Sequence, residues 1–179
     1  MPTIMTHAVV GAALASAVRT PRRGLVLAVG AGLAMLPDVD VVGFALGAFA
    51  DSIWNHRGIT HSVFAACVIG LAAGLATSRP LGVAWWKLAA WFAVITASHG
   101  VLDAFTNGGF GIAFGAPFSA ERYFFAWTPI EVSPLGLGIL SRRGVSVLAS
   151  EARFVVLPAV VILIAVRVAR RAMRARLAV

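Results

Sequence analysis

Charged residues are scarce in this chain, and acidic residues are scarcer than basic ones. Only 12% of the 179 residues are charged, of which 15 are basic and 7 are acidic. Hydrophobic residues make up 60% of the chain. A soluble domain carries about a quarter charged residues. This composition, with a mean hydropathy of +0.90, excludes an ordinary water-soluble domain and predicts an integral membrane protein. The length suits one membrane-embedded domain over residues 1–179.

Cysteine is almost absent, since Cys67 is the only one. It excludes an internal disulfide and any CxxC motif, and its place in an apolar run predicts a small core residue. The first basic residue, Arg19, follows the first apolar run instead of preceding it, so a cleavable signal peptide is not expected. The basic residues gather at the ends of apolar runs, as membrane anchors do. We therefore expect no nucleic-acid partner.

Apolar stretches predict an all-α polytopic membrane protein with about five transmembrane or membrane-embedded helices. The predicted helices cover residues 4–18, 25–36, 59–77, 83–106 and 154–169. A glycine-rich piece, 41–50, is typical of a re-entrant or interfacial segment. Residues 107–153, rich in glycine, proline and aromatics, predict a long extracytoplasmic loop.

The basic residues also predict an orientation. They concentrate in the turn at 19–23, at Arg79 and Lys87, and in the C-terminal run 167–176. Positive charge close to helix ends favours the cytoplasmic side. The sequence therefore predicts an extracytoplasmic N-terminus and a cytoplasmic C-terminus, with Trp85 and Trp86 in the inner interfacial belt.

With this orientation, all four histidines and three aspartates fall near the outer ends of the helices. They are His7, Asp38, Asp40, His56, His61, His99 and Asp103. Ionisable groups at membrane depth are costly unless they are paired or bound to something. We therefore expect these seven residues to form one cluster with a partner.

Spacing indicates how the cluster is built. His99 and Asp103 stand at i, i+4 on one helical face, where both could bind one metal ion, or the aspartate could orient the histidine. A buried His–Asp hydrogen bond is the simpler alternative. Asp38 and Asp40 would point the same way in an extended segment and could share a cation. The alternative there is a turn with a helix N-cap.

The types of the seven residues favour a transition metal. Neutral imidazoles with carboxylates suit zinc, manganese or iron better than calcium or magnesium. Seven ligands exceed one tetrahedral site, which allows one ion with surrounding polar groups or two ions. Asp38 or Asp103 would serve as a base where it does not bind metal, and Arg57 and Arg122 are candidates for binding a substrate phosphate.

Other mechanisms use the same residues. A Ser–His–Asp triad would need Ser62 or Ser98, but neither serine lies in a nucleophile elbow. An ion or proton pathway would also place histidine and aspartate in the membrane. A pathway needs polar groups along its whole length, whereas the other halves of the helices are almost purely apolar. A non-catalytic, metal-stabilised regulator remains a further alternative.

Several stretches carry a resemblance to a known family. They are "MPTIMTHAVVG", "AMLPDVDVVGF", "HRGITHS", "SHGVLDAFTNGG", "SAERYFFAW" and "IEVSP", in this order along nearly the whole chain. The chain thereby resembles the YdjM/YbcI-like family, which is described as LexA-regulated metal-dependent hydrolases of the bacterial inner membrane. That family is distantly similar to zinc-dependent phospholipase C and the fungal zinc nucleases.

The resemblance implies ligands at the same seven residues and zinc as the metal. The soluble relatives carry more histidines than the four present here, so one or two ions fit this chain better than three. The implied activity is hydrolysis of a phosphoester, such as that of a phospholipid headgroup, with lipid amide hydrolysis as the alternative. The LexA association concerns regulation and implies no contact with DNA.

Overall fold

The computed structural model describes residues 1–45, 53–134 and 136–176. Its regular structure is helical, and within these residues β-pairing is limited to two isolated bridges. The helices are α1 Ile4–Ala15, α2 Arg23–Met35, α3 Val41–Ala45, α4 Val63–Leu81, α5 Trp85–Ala104, α6 Arg142–Glu151 and α7 Leu157–Arg176. The prediction of an all-α protein is confirmed.

Three helical stretches are long and apolar enough to cross a membrane: Arg23–Gly43, Val63–Leu81 and Arg142–Ala165. The shorter α1 is also apolar. Most side chains in these spans are not buried within the protein, as expected of helices that face lipid. The chain is therefore a helical membrane protein, while the number of crossings and the side on which each loop lies stay predictions.

Small residues hold the helices together in two hairpins. A Cβ atom added to Gly11 of α1 would lie 2.3 Å from the carbonyl oxygen of Gly30 on α2. A Cβ atom added to Gly70 of α4 would lie 2.4 Å from the backbone nitrogen of Ala93 on α5. Close backbone approach at small residues is a main source of helix association in membranes, because lipid offers no hydrophobic driving force between helices.

The core between these hairpins is apolar. It contains Ala15, Val26, Leu33, Ala34, Leu81, Leu88, Phe92 and Ile95. Thr96, which is also buried here, donates its hydroxyl hydrogen bond to the carbonyl of Phe92 in its own helix. The core lies beside the middle and the amino-terminal half of α5, and the predicted ligands lie beyond it.

Several predicted boundaries are wrong. The second α-helix ends at Met35, close to its predicted end, but the chain does not leave helical structure there, because Leu36–Asp40 continue as a 3-10 helix into α3. Pro80 lies inside the last turn of α4, which ends at Gly82 with a left-handed φ of 64°. The predicted loop ends earlier than residue 153, since α6 begins at Arg142. Within the glycine-rich segment 41–50, residues 46–50 lie outside the described part of the chain.

Cys67 is not the core residue that its apolar surroundings predict. Its side chain is exposed on α4. A membrane helix is apolar on its lipid-facing side as well as its packed side, so local hydrophobicity does not separate the two.

A matched pair of substitutions on α2 tests the packing of the first hairpin. A Cβ atom at Gly30 would lie 2.4 Å from that of Ala15 and 2.7 Å from the oxygen of Gly11, whereas a Cβ atom at Gly32 meets nothing within 4 Å. Gly30→Ala should lower the thermal denaturation midpoint in detergent, by an overpacking cost of about 1–3 kcal/mol. Gly32→Ala should leave the denaturation midpoint unchanged or raise it, because alanine favours the helix. Equal midpoints for the two variants would contradict this packing.

A candidate metal centre

Four separate segments bring the predicted ligands to one end of the bundle. They are α1 with His7, the 3-10 turn after α2 with Asp38 and Asp40, the loop before α4 with His56 and His61, and α5 with His99 and Asp103. These residues form three overlapping groups whose ligand atoms lie within 4.8 Å of one another. Their roles as ligands stay predictions, but their proximity is a property of the fold.

The inner part of the cluster is fully buried. The rings of His7 and His99 stack with centroids 3.7 Å apart and an interplanar angle of 14°. His7 Nε2 lies 3.3 Å from Asp103 Oδ1, and His99 Nε2 lies 3.3 Å from Asp38 Oδ1. His61 Nε2 lies 3.7 Å from both Asp38 Oδ1 and Asp103 Oδ2. Three imidazoles and two carboxylates therefore point at one small volume.

Most polar atoms of this inner part lack a hydrogen-bond partner. Within the described residues, the buried side-chain atoms without a hydrogen-bond partner all belong to this cluster: both ring nitrogens of His7, both carboxylate oxygens of Asp38 and Asp103, and Nε2 of His61 and His99. Leaving such atoms unpaired in a low-dielectric interior is costly. Their concentration at one point is what a cation-binding site needs.

The distances also fit a metal ion. Nitrogen and oxygen ligands about 2.1 Å from a tetrahedral zinc ion lie roughly 3.4 Å from one another. The two contacts at 3.3 Å have this spacing. His99 Nδ1 lies 2.6 Å from the carbonyl oxygen of Ala34, to which it donates, and this bond leaves Nε2 as the unprotonated nitrogen facing the cluster. Such a hydrogen bond is the usual device for orienting a metal-binding histidine.

The outer part of the cluster has the opposite character, because its carboxylate is well paired. Asp40 contacts His56 Nδ1 at 2.7 Å through Oδ1 and accepts hydrogen bonds from the backbone of Arg57 and the hydroxyl of Thr60 through Oδ2. His61 Nδ1 lies 3.2 Å from the same Oδ2. Asp40 therefore orients both histidines, although it also belongs to a four-residue group with metal-binding geometry.

The extended arrangement predicted for Asp38 and Asp40 is wrong, since both lie in the 3-10 helix Leu36–Asp40. Residues two apart in such a helix do not share a direction. The two carboxylates still meet at one residue because His61 lies between them, with Nε2 towards Asp38 and Nδ1 towards Asp40. Burial lowers the pKa of His61, but the neighbouring carboxylates of Asp38, Asp40 and Asp103 favour the charged ring, outweigh burial and raise the pKa to about 9.

Arg57 has a different environment from that expected of a phosphate ligand. Its side chain is 1% exposed, Nε lies 3.1 Å from Asp103 Oδ2, and Nη1 and Nη2 donate to the carbonyls of Gly108 and Phe110 and to the hydroxyl of Thr106. Arg57 thus ties the loop after α5 to the cluster and offsets one carboxylate. A contact with substrate stays a prediction that this geometry does not favour.

Arg122 lies closer to the edge of the cluster. It is only partly buried, and its Nη1 donates to the carbonyls of His56 and Gly111 at 3.1 Å each. The two serines of the alternative triad have structural roles. Ser62 caps α4 by accepting from the backbone of Ala65, and Ser98 donates to the carbonyl of Ile95 in its own helix.

Glu151 is a residue that the sequence did not single out. It is 1% exposed at the end of α6 and accepts three hydrogen bonds from the start of α1: from the backbone and hydroxyl of Thr3, at 2.5 and 2.7 Å, and from the hydroxyl of Thr6, at 2.5 Å. A carboxylate at a helix N-terminus is stabilised by the free amides and the helix dipole. Glu151 therefore fixes the first turn of the helix that carries His7.

The fold and the site define a class: a helical membrane protein with a buried histidine–aspartate cluster that could hold a metal ion. Comparison with known proteins identifies the family of inner membrane proteins to which the chain belongs. A family model described as "YdjM inner membrane protein" matches residues 1–176, and the chain belongs to that family. The chain is 36% identical over 168 residues to "Inner membrane protein YbcI" of Escherichia coli (strain K12), covering 91% of this chain and 95% of the relative. No solved structure matches it.

Metal content provides the direct test of the cluster. Detergent-purified protein should contain at least one equivalent of a transition metal by elemental mass spectrometry. His99→Ala should lose most of it, because the variant removes an oriented imidazole at the centre of the cluster. Ser98→Ala, one residue away with its hydroxyl bonded within its own helix, should retain it. Equal metal content in the two variants, or none in the wild type prepared without chelators, would refute the site.

Removal of the carboxylate of Glu151 should weaken the attachment of α1. Glu151→Ala removes the acceptor of the Thr3 backbone N–H, the Thr3 hydroxyl and the Thr6 hydroxyl, at a cost of about 1–3 kcal/mol for each unpaired buried group. The thermal denaturation midpoint should fall clearly. Glu131→Ala is the matched control, because the hydrogen bonds seen for the Glu131 carboxylate come from the exposed hydroxyl of Ser146. A midpoint for Glu151→Ala equal to that of the control would contradict the assigned role.

Proposed function

We propose that the protein is a membrane-bound, metal-dependent hydrolase that cleaves a phosphoester, with a phospholipid headgroup as the substrate class. The observation that carries this proposal is the group of buried ligand atoms without a hydrogen-bond partner on His7, Asp38, His61, His99 and Asp103. A cluster kept only for stability would pair its own atoms, as Asp40 and His56 do.

Lipid access at the edge of the cluster supports a lipid substrate. Asp38 is the inner carboxylate nearest the surface, with 7% exposure against none for Asp103. Its neighbours Leu36, Val39 and Val42 are 43, 60 and 61% exposed within the candidate span Arg23–Gly43. Exposed apolar side chains on a membrane span face acyl chains. A lipid can therefore approach the surface beside Asp38 sideways from the membrane.

The residues divide into distinct roles under this proposal. His7, His61, His99 and Asp103 would hold a divalent transition metal, for which their nitrogen and oxygen donors suit zinc, and manganese or iron next. A bound metal of this kind supplies a Lewis acid that activates water and offsets charge on phosphoryl oxygens. Asp40 holds His61 and His56 in place through its hydrogen bonds.

Proton transfer is assigned to Asp38 rather than Asp103. Asp103 is completely buried and already contacts the guanidinium of Arg57, so it is held as a carboxylate away from the surface. Asp38 contacts His61 and His99 and is the less deeply buried of these two aspartates. In this proposal it takes the proton from the attacking water.

Arg122 is the cation assigned to the substrate phosphate. Its hydrogen bond to the carbonyl of His56 holds the guanidinium beside the Asp40–His56 pair at the more exposed part of the cluster. An arginine fork matches phosphate oxygens in geometry as well as charge. The distribution of basic residues along the chain supports an extracytoplasmic position for the whole cluster.

Hydrolysis of defined lipids tests the proposal. Metal-loaded protein in mixed micelles should release a phosphorylated or free headgroup from at least one of phosphatidylglycerol, phosphatidylethanolamine and cardiolipin, followed by phosphorus NMR. Asp38→Asn should reduce the rate about 10²–10⁴-fold, the usual contribution of a general base. Glu131→Gln, which changes a carboxylate outside the cluster, should leave the rate unchanged.

A lipid amide included in the same panel distinguishes the main alternative. Cleavage of the amide alone would replace the phosphoesterase proposal with an amidase. If metal-loaded wild type cleaved none of these lipids, the hydrolase proposal would fail and a non-catalytic membrane regulator would stand in its place.

A further inference from the structure

A groove lies at the opposite end of the bundle from the metal centre. It is formed where α1 ends and α5 begins, with a volume of about 450 Å³, and its lining includes Ala17, Arg19, Val83, Lys87, Leu88 and Trp91. Lys87 and His99 both lie on α5, about 18 Å apart along the helix axis at 1.5 Å per residue. The groove is therefore separate from the cluster, with the apolar core beside the helix between them.

The groove combines an apolar floor with a cationic rim. Leu88 is buried, and Val83 and Trp91 are partly buried, so the floor offers apolar surface. Trp91 is fixed by a hydrogen bond from its Nε1 to the carbonyl of Leu14. Arg19 and Lys87, which come from different helix ends, are both exposed at the groove. Acyl or glycerol groups suit such a floor, and an anionic phosphate suits such a rim.

The surroundings place this groove at a membrane interface. Trp85 and Trp86 are 48 and 57% exposed in the first turn of α5, and the Lys87 ammonium lies 5.2 Å from the ring of Trp86. Exposed tryptophans beside cations are typical of the headgroup level of a bilayer. The hydroxyl of Thr20 donates to the carbonyl of Leu81, which joins the turn after α1 to the end of α4. The groove is thus a built feature of the fold.

We propose that this groove binds one anionic phospholipid, with its phosphate between Arg19 and Lys87 and its glycerol backbone and acyl chains along Val83, Leu88 and Trp91. Basic pockets between transmembrane helices recognise lipid headgroups in this way. This binding is independent of the proposed hydrolysis, because the groove shares no residue with the metal centre.

Native mass spectrometry of the full-length protein in detergent tests the site by comparing the first dissociation constants for phosphatidylglycerol and phosphatidylcholine. The wild type should prefer phosphatidylglycerol. In Arg19→Gln/Lys87→Gln this preference should fall at least fivefold, since one cation near an anionic headgroup contributes about that factor. Arg22→Gln/Arg23→Gln is the matched control, because it removes the same charge from exposed residues that do not line the groove.

A steric variant separates the groove from its charge. Ala17→Phe fills the groove without changing charge and should weaken binding of phosphatidylglycerol, whereas Ala28→Phe, on the exposed surface of α2, should not. Arg19→Lys/Lys87→Arg should keep the preference, and unchanged helix content by circular dichroism shows that each variant is folded. The proposal is overturned if the two glutamine pairs reduce the preference equally, if Ala17→Phe has no effect, or if the wild type does not distinguish the two lipids.

Discussion

Three carboxylates held close together in a membrane protein need positive charge, and the rest of the site is arranged around that need. The guanidinium of Arg57 is in ion-pair contact with Asp103, so it offsets one of these three carboxylates. A buried carboxylate without a partner costs several kcal/mol. The carboxylates around His61 also raise its pKa to about 9, which favours a second positive charge on a protonated ring. A divalent metal would take the place of that proton and neutralise the cluster more fully.

The helices convert this local requirement into a property of the whole fold. His7 and His99 stand on helices held by close contact between small residues, and Glu151 fixes the first turn of α1 from the far end of the chain. Ligands on packed helices have well-defined positions, which a metal site needs to within a fraction of an ångström. The loop before α4 contributes His56 and His61, and there Asp40 provides the order that a helix would otherwise give.

Local patterns in the sequence predicted the class of the fold and the gathering of seven polar residues, because hydrophobic runs and helix ends are local features. Asp38 and Asp40 were placed correctly at a helix end but in the wrong conformation, since one proline does not fix the backbone of the residues after it. The partners of Arg57 and Glu151 could not be predicted, because those contacts join segments distant in sequence and leave no spacing signal. The exposure of Cys67 could not be predicted for another reason, because the lipid-facing side of a membrane helix is as apolar as its packed side.

The two ends of the bundle differ in a way that bears on function. At one end most polar atoms of the inner cluster are buried without a hydrogen-bond partner, and exposed apolar side chains lie beside Asp38. At the other end the cations Arg19 and Lys87 are exposed around an apolar groove. The described core between them is apolar, and the hydroxyl of Thr96 donates its hydrogen bond within its own helix. A proton or an ion would meet no chain of polar groups there, as a transport pathway requires. This separation agrees with the two proposals, hydrolysis at the buried cluster and phospholipid binding at the groove.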